Sequence, residues 1–297
     1  MLPRPLTTTL AAALVWTAAA PSVAQEADEV SSVSLIAEQD TVRPGQTLLL
    51  GLHFELEDGW HIYWDGFNDT GFPPMVEWSL PEGVSVGPML WPAPERYISP
   101  GNILDHVYEG RPTILVPITV DPSVPAGETL EIRGEVEWLV CNDICLPGFG
   151  PISIDLQVAA GQAGTPAQLA PDSRIGRAAA SLPQPVRSLE QVEGLSLRWS
   201  DDVIAVQVDG AESLAFFPAQ DSVSLVSVIG DASSEGETMT LRIGDGASGG
   251  NLRGVLQVER AAGMRWYLID YAVDGLQPPE QTEAISRVRD RVERSPS

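Results

Sequence analysis

Leu130-Glu131-Ile132-Arg133-Gly134-Glu135-Val136-Glu137-Trp138-Leu139-Val140-Cys141-Asn142-Asp143-Ile144-Cys145-Leu146-Pro147 carries both the strand pattern that decides the fold and the only two cysteines of the chain. Leu130, Ile132, Val136, Trp138 and Val140 hold even positions, opposite Glu131, Arg133, Glu135 and Glu137 at odd ones. Successive strand side chains point to opposite faces, so the alternation predicts a strand with one buried and one wet face. Cys141 is odd. Its sulfur is expected to leave the core and meet the surface or a cap, whereas a purely structural cysteine prefers the buried face.

The same alternation recurs upstream. Leu48, Leu50, Leu52, Phe54 and Leu56 alternate with a set that includes Thr47, Gly51, His53 and Glu55, and Ile114, Val116, Ile118 and Val120 repeat the period. Turn formers separate the runs: Arg43-Pro44-Gly45, Pro81-Glu82-Gly83, Glu109-Gly110 and Pro125-Ala126-Gly127. About eight strands fit between Val33 and Val158, which predicts an immunoglobulin-like sandwich. From Ala159 to about Val186 the chain turns to Ala, Gly, Pro and Gln, a linker with one short helix after Asp172 as its cap. Strand patterns return at Leu195-Leu197-Trp199, Val206-Val208, Met239-Leu241-Ile243, Val255 to Val258 and Trp266 to Ala272, with glycine clusters such as Gly244-Asp245-Gly246 between them. The expectation is an all-β chain: a sandwich over residues 25–160, a linker over 161–187, a second, smaller β-sandwich-like domain over 188–275 ending near Asp274, and a charged tail over 276–297 that is a short amphipathic helix or disordered.

The first residues read as an export signal. Arg4 supplies the positive end, Leu10 to Ala20 is apolar apart from Thr17, and Ser22-Val23-Ala24 is a small-x-small cleavage site, giving a mature start near Gln25. The run is shorter than the roughly 20 residues of a spanning helix, so the mature protein is expected in the periplasm without membrane insertion. The net charge is -24 and all 17 basic residues are arginine. Phosphate binding needs clustered positive charge, so nucleic acid is excluded as a partner. No lysine means no Schiff-base chemistry.

An oxidising compartment lets Cys141 and Cys145 bond. A five-residue ring stabilises by only about 2 kcal/mol on the loop-entropy model, against about 4.7 for a hundred-residue loop. A chain this long buries a core of its own, so the pair points to chemistry rather than to stapling. A disulfide needs Cα atoms about 4.4–6.8 Å apart, whereas four extended steps span roughly 13 Å. The strand is therefore expected to break at Val140, and Asn142-Asp143 to turn the chain through a helical or tight turn. Such a pair exchanges two electrons through a mixed disulfide. Asp143, between the thiols, would oppose thiolate formation if close.

Aromatic residues crowd the region upstream. Trp78 and Trp138 fit core filling. Loop aromatics Phe67, Phe72 and Tyr97 are candidates for a lid over the cysteines, with Trp64 and Tyr108 as further neighbours of the site. Of the three histidines, His53 falls on the wet strand face, and His61 and His106 lie in the aromatic region. Cys141, Cys145, His61 and His106 form a set suited to zinc or copper(I) by ligand type, although the histidines lack ligand spacing. No cofactor is otherwise implied.

The chain resembles the N-terminal periplasmic domain of the DsbD/ScsB type of thiol:disulfide interchange protein. The matching segments are Gly59-Trp60-His61-Ile62-Tyr63-Trp64, Thr70-Gly71-Phe72-Pro73, Trp78-Ser79-Leu80-Pro81-Glu82-Gly83, Trp91-Pro92-Ala93-Pro94-Glu95-Arg96, Tyr108-Glu109-Gly110 and Trp138 to Pro147, in order across residues 59–147. The resemblance implies an immunoglobulin-like sandwich with Cys141 and Cys145 as its redox pair, Cys145 facing the partner. It implies thioredoxin-like periplasmic partners. Full-length members continue into a membrane conduit and a thioredoxin domain that this chain lacks, so a separately encoded membrane thiol reductase is expected to recharge it. Two other readings stand beside this one: a non-enzymatic exported binding module with a structural disulfide, and a periplasmic copper-handling protein.

Overall fold

The computed structural model describes residues 26–244, 250–272, 275–279 and 281–293. The export signal with its cleavage site, Asp274 and the end of the charged tail lie outside them.

Eleven strands are described between residues 31 and 158: β1 (Ser31–Ala37), β2 (Thr41–Val42), β3 (Thr47–Leu56), β4 (His61–Tyr63), β5 (Met75–Ser79), β6 (Val84–Val86), β7 (Glu95–Ser99), β8 (Ile103–Glu109), β9 (Thr113–Val120), β10 (Thr129–Cys141) and β11 (Cys145–Val158). They exceed the expected eight because β2, β4 and β6 are only two or three residues long, too short to show a period of two. Two sheets form, ordered β1-β3-β9-β6 and β2-β11-β10-β4-β8-β7, with β5 also paired to β10. They close an immunoglobulin-like sandwich. Leu48, Leu50, Leu52 and Phe54 of β3 face the core together with Ile132, Val136, Trp138 and Val140 of β10, as the even-position pattern predicts. Trp138 is buried; its indole N–H donates to Ser31 Oγ at 3.0 Å, and Phe54 meets it edge-on. A Cβ at Gly148, the residue paired with Trp138, would lie 2.1 Å from the indole. Glycine is needed there to seat the ring.

The outer face of β3 departs from expectation. Gly51 and His53 are buried rather than wet, as is Leu49 between them and Thr47. Helix α1 (Arg174–Ala180) packs on β3 and β9. His53 Nδ1 pairs with Thr113 Oγ1 at 2.9 Å, and the Arg174 guanidinium lies over the Glu55 carboxylate at 3.5 Å. Burial, with Arg174 nearby, lowers the His53 pKa. Ser173, not Asp172, caps α1: its Oγ accepts from the Gly176 N–H at 2.9 Å.

The second set of strands comprises β12 (Gln184–Pro185), β13 (Leu195–Ser200), β14 (Val203–Val208), β15 (Ser213–Pro218), β16 (Ser233–Glu235), β17 (Thr238–Arg242), β18 (Leu252–Arg260), β19 (Gly263–Ala272) and β20 (Gly275–Leu276), with a short helix α2 (Val228–Asp231). A sheet ordered β12-β19-β18-β15-β16, with β20 on β19, faces a three-stranded sheet β13-β14-β17 across a core that includes Val206, Leu214, Phe216, Leu241 and Leu256. The charged tail forms helix α3 (Thr282–Glu293). Its Ile285 and Val288 join Leu49, Leu115 and the α1 residues Ile175 and Ala179 in one cluster. Its Arg291 pairs with Glu38 at 2.8 Å, both side chains buried.

Phe217 and Val255 of the second set join the sandwich cluster of Trp60, Trp64, Trp91 and Tyr108. The backbone N–H of Phe67 donates to Pro218 O at 2.9 Å, and the Arg96 guanidinium donates to the carbonyls of Val228 and Ile229. Much of the aromatic segment thus fills the junction between the two strand sets.

Candidate functional site

Strands β10 and β11 pair residue for residue from Thr129 opposite Gln157 to Cys141 opposite Cys145. The turn between the cysteines has three residues, Asn142-Asp143-Ile144. The Asn142 N–H donates to Ile144 O at 3.0 Å, and the Asp143 N–H donates to Asn142 Oδ1. The chain reverses immediately after Cys141, so the tight-turn alternative holds and the helical one does not. With Cα atoms 4.2 Å apart, the two sulfurs are bonded.

Their environments differ. Cys145 is exposed and Cys141 is 1% exposed. Parity did place Cys141 off the main core, with Leu139. A cap covers it there: Tyr63 and Val107, flanked by Tyr97, bury the sulfur in a small separate cluster. Register explains the cap. Cys141 lies opposite His61, Tyr63 opposite Val107, and Tyr97 opposite Asp105, so these residues share the outer face of the sheet. The His61 ring sits 4.5 Å from that of Tyr97 and 5.4 Å from that of Tyr63. Burial lowers the His61 pKa, against the opposing charges of Asp105 and Glu109, so the ring is neutral near pH 7.

The Tyr63 hydroxyl is 3.8 Å from Cys145 Sγ and 3.3 Å from Thr70 Oγ1. Thr70 donates its own hydroxyl hydrogen to Asp105 Oδ2 at 2.6 Å. Its oxygen is therefore an acceptor towards Tyr63, and the single phenol hydrogen divides between Thr70 and the sulfur. Burial raises the Tyr63 pKa and keeps that hydrogen in place.

Over the phenol runs the loop of residues 65–74. Gly71 lies flat on it, since a Cβ there would be 2.1 Å from Tyr63 Cζ. The loop is tied to β8 by side chains: Asn68 Oδ1 accepts from His106 N–H at 2.7 Å, Asp69 Oδ2 from Leu104 N–H at 2.7 Å, and Asp105 Oδ1 from Thr70 N–H at 3.0 Å.

Of the sequence-predicted residues, the structure brings Cys141, Cys145, His61 and Tyr97 together, with Asn142 and Asp143 exposed in the turn. Phe72 is half-buried and follows Gly71. Trp64 and Tyr108 are not at the disulfide. They occupy the opposite sheet face, in the sandwich core, where the Tyr108 hydroxyl donates to Pro92 O. Phe67 is held to the second strand set by its backbone. The metal set is split: His106 alternates with Asp105 and Val107, and its ring lies against Trp64 and Phe217 on the core side. Among the described residues no group of three or more His, Cys, Asp or Glu side chains is placed to hold a metal ion. Tyr63, Thr70 and Asp105 were not singled out from sequence. The alternation of His61 and Tyr63 with Ile62 and Trp64 was the available signal.

Residues 32–155 match the family described as thiol:disulfide interchange protein DsbD, N-terminal. No curated protein matches the chain. Among solved structures, the N-terminal periplasmic domain of ScsB from Proteus mirabilis is 15% identical, with 81% of this chain and 91% of that one covered and a TM-score of 0.49. The reduced DsbD N-terminal domain of Neisseria meningitidis is 14% identical over 46% of this chain and 89% of that one, at a TM-score of 0.23. Among the described residues no helix is long and apolar enough to cross a membrane.

Proposed function

We propose that the chain, whose residues 32–155 match the family described as thiol:disulfide interchange protein DsbD, N-terminal, passes reducing equivalents between thioredoxin-like partners through a reversible Cys141–Cys145 bond after export to the periplasm. The observation that carries the reading is the asymmetry of the pair: an exposed cysteine bonded to a buried one at the tip of a hairpin.

The oxidised pair accepts a partner thiolate at Cys145 Sγ. The S–S bond breaks, Cys141 leaves and takes a proton, and a mixed disulfide forms. The partner's second thiolate then attacks its own sulfur in that bond and releases Cys145. One partner dithiol has become a disulfide, and two electrons and two protons have moved to this chain. The reverse sequence delivers them to the next acceptor. Recharging is assigned to a membrane thiol reductase. Residues 25–160 carry the pair and residues 188–275 form a second unit, a division supported by one cluster confined to each although Phe217 and Val255 also enter the sandwich cluster, with 161–187 joining them and 276–297 as tail.

Equilibration with glutathione at varied redox poise tests the reading. A working pair titrates inside the range of known exchange proteins, about -120 to -270 mV; a potential well below about -300 mV marks a structural bond and sinks the proposal.

The loop of residues 65–74 and Tyr97 act as the lid, a role supported by Gly71 on Tyr63 and by Tyr97 against the Cys141 cluster. Phe72→Ala or Tyr97→Ala should raise the oxidation rate of the reduced pair by a small-molecule disulfide severalfold, followed by stopped-flow thiol consumption. Rates equal to those of the parent protein for both variants would count against a lid.

A further inference from the structure

The outer face of the β11–β10–β5 sheet continues the site as an exposed apolar row. Register sets Pro147 beside Leu139 one step from the disulfide, then Phe149 beside Glu137 and Met75 in the next. Phe149 is 63% exposed, Met75 50%, and Ile144 at the hairpin tip 51%. Singly scattered apolar side chains need no explanation, but large ones lined up with a reactive sulfur do. At about 3.4 Å per residue, Phe149 stands about 14 Å along the strand from Cys145. A standard interface of about 800 Å² per partner has a radius of about 16 Å, so the row falls within one footprint centred on the disulfide.

The row is bordered by acid. Glu137 separates Phe149 from Met75, the following row holds Glu135 and Glu77, and exposed Asp143 sits at the tip. Arg133, further along, is occupied by Glu131. A second copy of this chain would set acid against acid, at a net charge of -24 each.

We infer that this row is the docking surface for the exchange partner, and that the partner frames its reactive cysteine with apolar and arginine or lysine side chains. The inference rests on the exchange function proposed above and specifies its partner. Like charges facing each other slow encounter, and opposite charges speed it in a salt-dependent way.

The test uses the reduced full chain and three oxidants, each read by release of pyridinethione: neutral dithiodipyridine, and the pyridyl disulfides of two cysteine peptides, one flanked by leucine and arginine, the other by leucine and glutamate. In each, a protein thiolate displaces pyridinethione to give a mixed disulfide. The second cysteine then displaces the peptide thiol, or a second pyridinethione when the oxidant is dithiodipyridine, and closes the Cys141–Cys145 bond, so the protein loses two electrons and the oxidant gains them. The basic peptide should react about tenfold faster than the acidic one at low salt, with the gap closing at high salt. In the double variant Met75→Ser/Phe149→Ser, the rate with the basic peptide relative to dithiodipyridine should fall about fivefold, as expected when anchoring apolar contacts are lost. Equal peptide rates in the parent, an unchanged ratio in the variant, or a dimer in sedimentation that the double variant abolishes would overturn the docking assignment alone. Failure of the folded, reduced chain to react even with dithiodipyridine would overturn the exchange function beneath it.

Discussion

With a thioredoxin-fold partner whose second cysteine is replaced by serine, so that the partner cannot release itself, the variant Cys141→Ser should accumulate a stable mixed disulfide, and Cys145→Ser should form essentially none. Cys145 is exposed at the hairpin tip, whereas Cys141 is 1% exposed beneath Tyr63, Val107 and Tyr97. An incoming macromolecule therefore meets Cys145 and not Cys141. In the parent, the adduct resolves by attack from a sulfur held at the paired position of the same hairpin. Effective molarities for such oriented groups reach about 10⁵ M or more. Millimolar external thiol cannot match this, so loss of Cys141 should slow resolution by a thousandfold or more. Non-reducing electrophoresis of trapped cells, with mass spectrometry of the adducts, reads the result. An adduct carried by Cys141 in the Cys145→Ser variant would reverse the assigned order of attack.

The second large effect is on stability against pH. His106 is fully buried between Trp64 and Phe217, and its Nδ1–H donates to Phe67 O at 2.5 Å. Nε2 has no hydrogen-bond partner. A proton there would place a charge between aromatic rings, and burial pushes the pKa down from 6.5 to about 4. A folded pKa below the unfolded one means that stability is fully present above pH 6.5 and is lost as the pH falls from 6.5 to about 4. At 1.36 kcal/mol per unit, the loss amounts to about 3 kcal/mol. His106→Gln keeps a donor near Phe67 without the titration. It should start about 1–2 kcal/mol less stable at pH 7 but should lack this part of the acid loss. Urea unfolding of both proteins at pH 7, 5.5 and 4 isolates the difference, since the carboxylates titrate alike in each. Parallel curves would show that His106 is not the group responsible.

The sandwich was legible because alternation is a local property. Leu48 to Phe54 and Leu130 to Val140 name their inward faces without reference to any neighbour, and both face the core as read. What covers the other face is not local. His53 and Gly51 look wet, and Leu49 beside them has no visible partner, until α1 and α3, more than 100 residues downstream, pack over β3. The same holds at the candidate site. Cys141, Cys145 and the turn were readable from spacing and turn formers. Which aromatic residues cap the pair depends on register across β10, β4, β8 and β7, which puts Tyr63 over Cys141 and sends Trp64 and Tyr108 to the opposite sheet face. One rule carried further than it was used: within Trp60 to Trp64, residues sharing the parity of His61 go to the disulfide, and those sharing that of Ile62 go to the core.

The fastenings of the 65–74 loop also limit how it moves. Phe67 is tied to Pro218, and Asn68, Asp69 and Thr70 are tied to β8, so the hinge of any opening falls at or after Thr70. Only the four residues 71–74 are left to swing, a reach of at most about 13 Å at full extension. Movement confined to those residues would bare Tyr63 without disturbing the junction between the two strand sets, which makes the second set an anvil rather than a moving jaw.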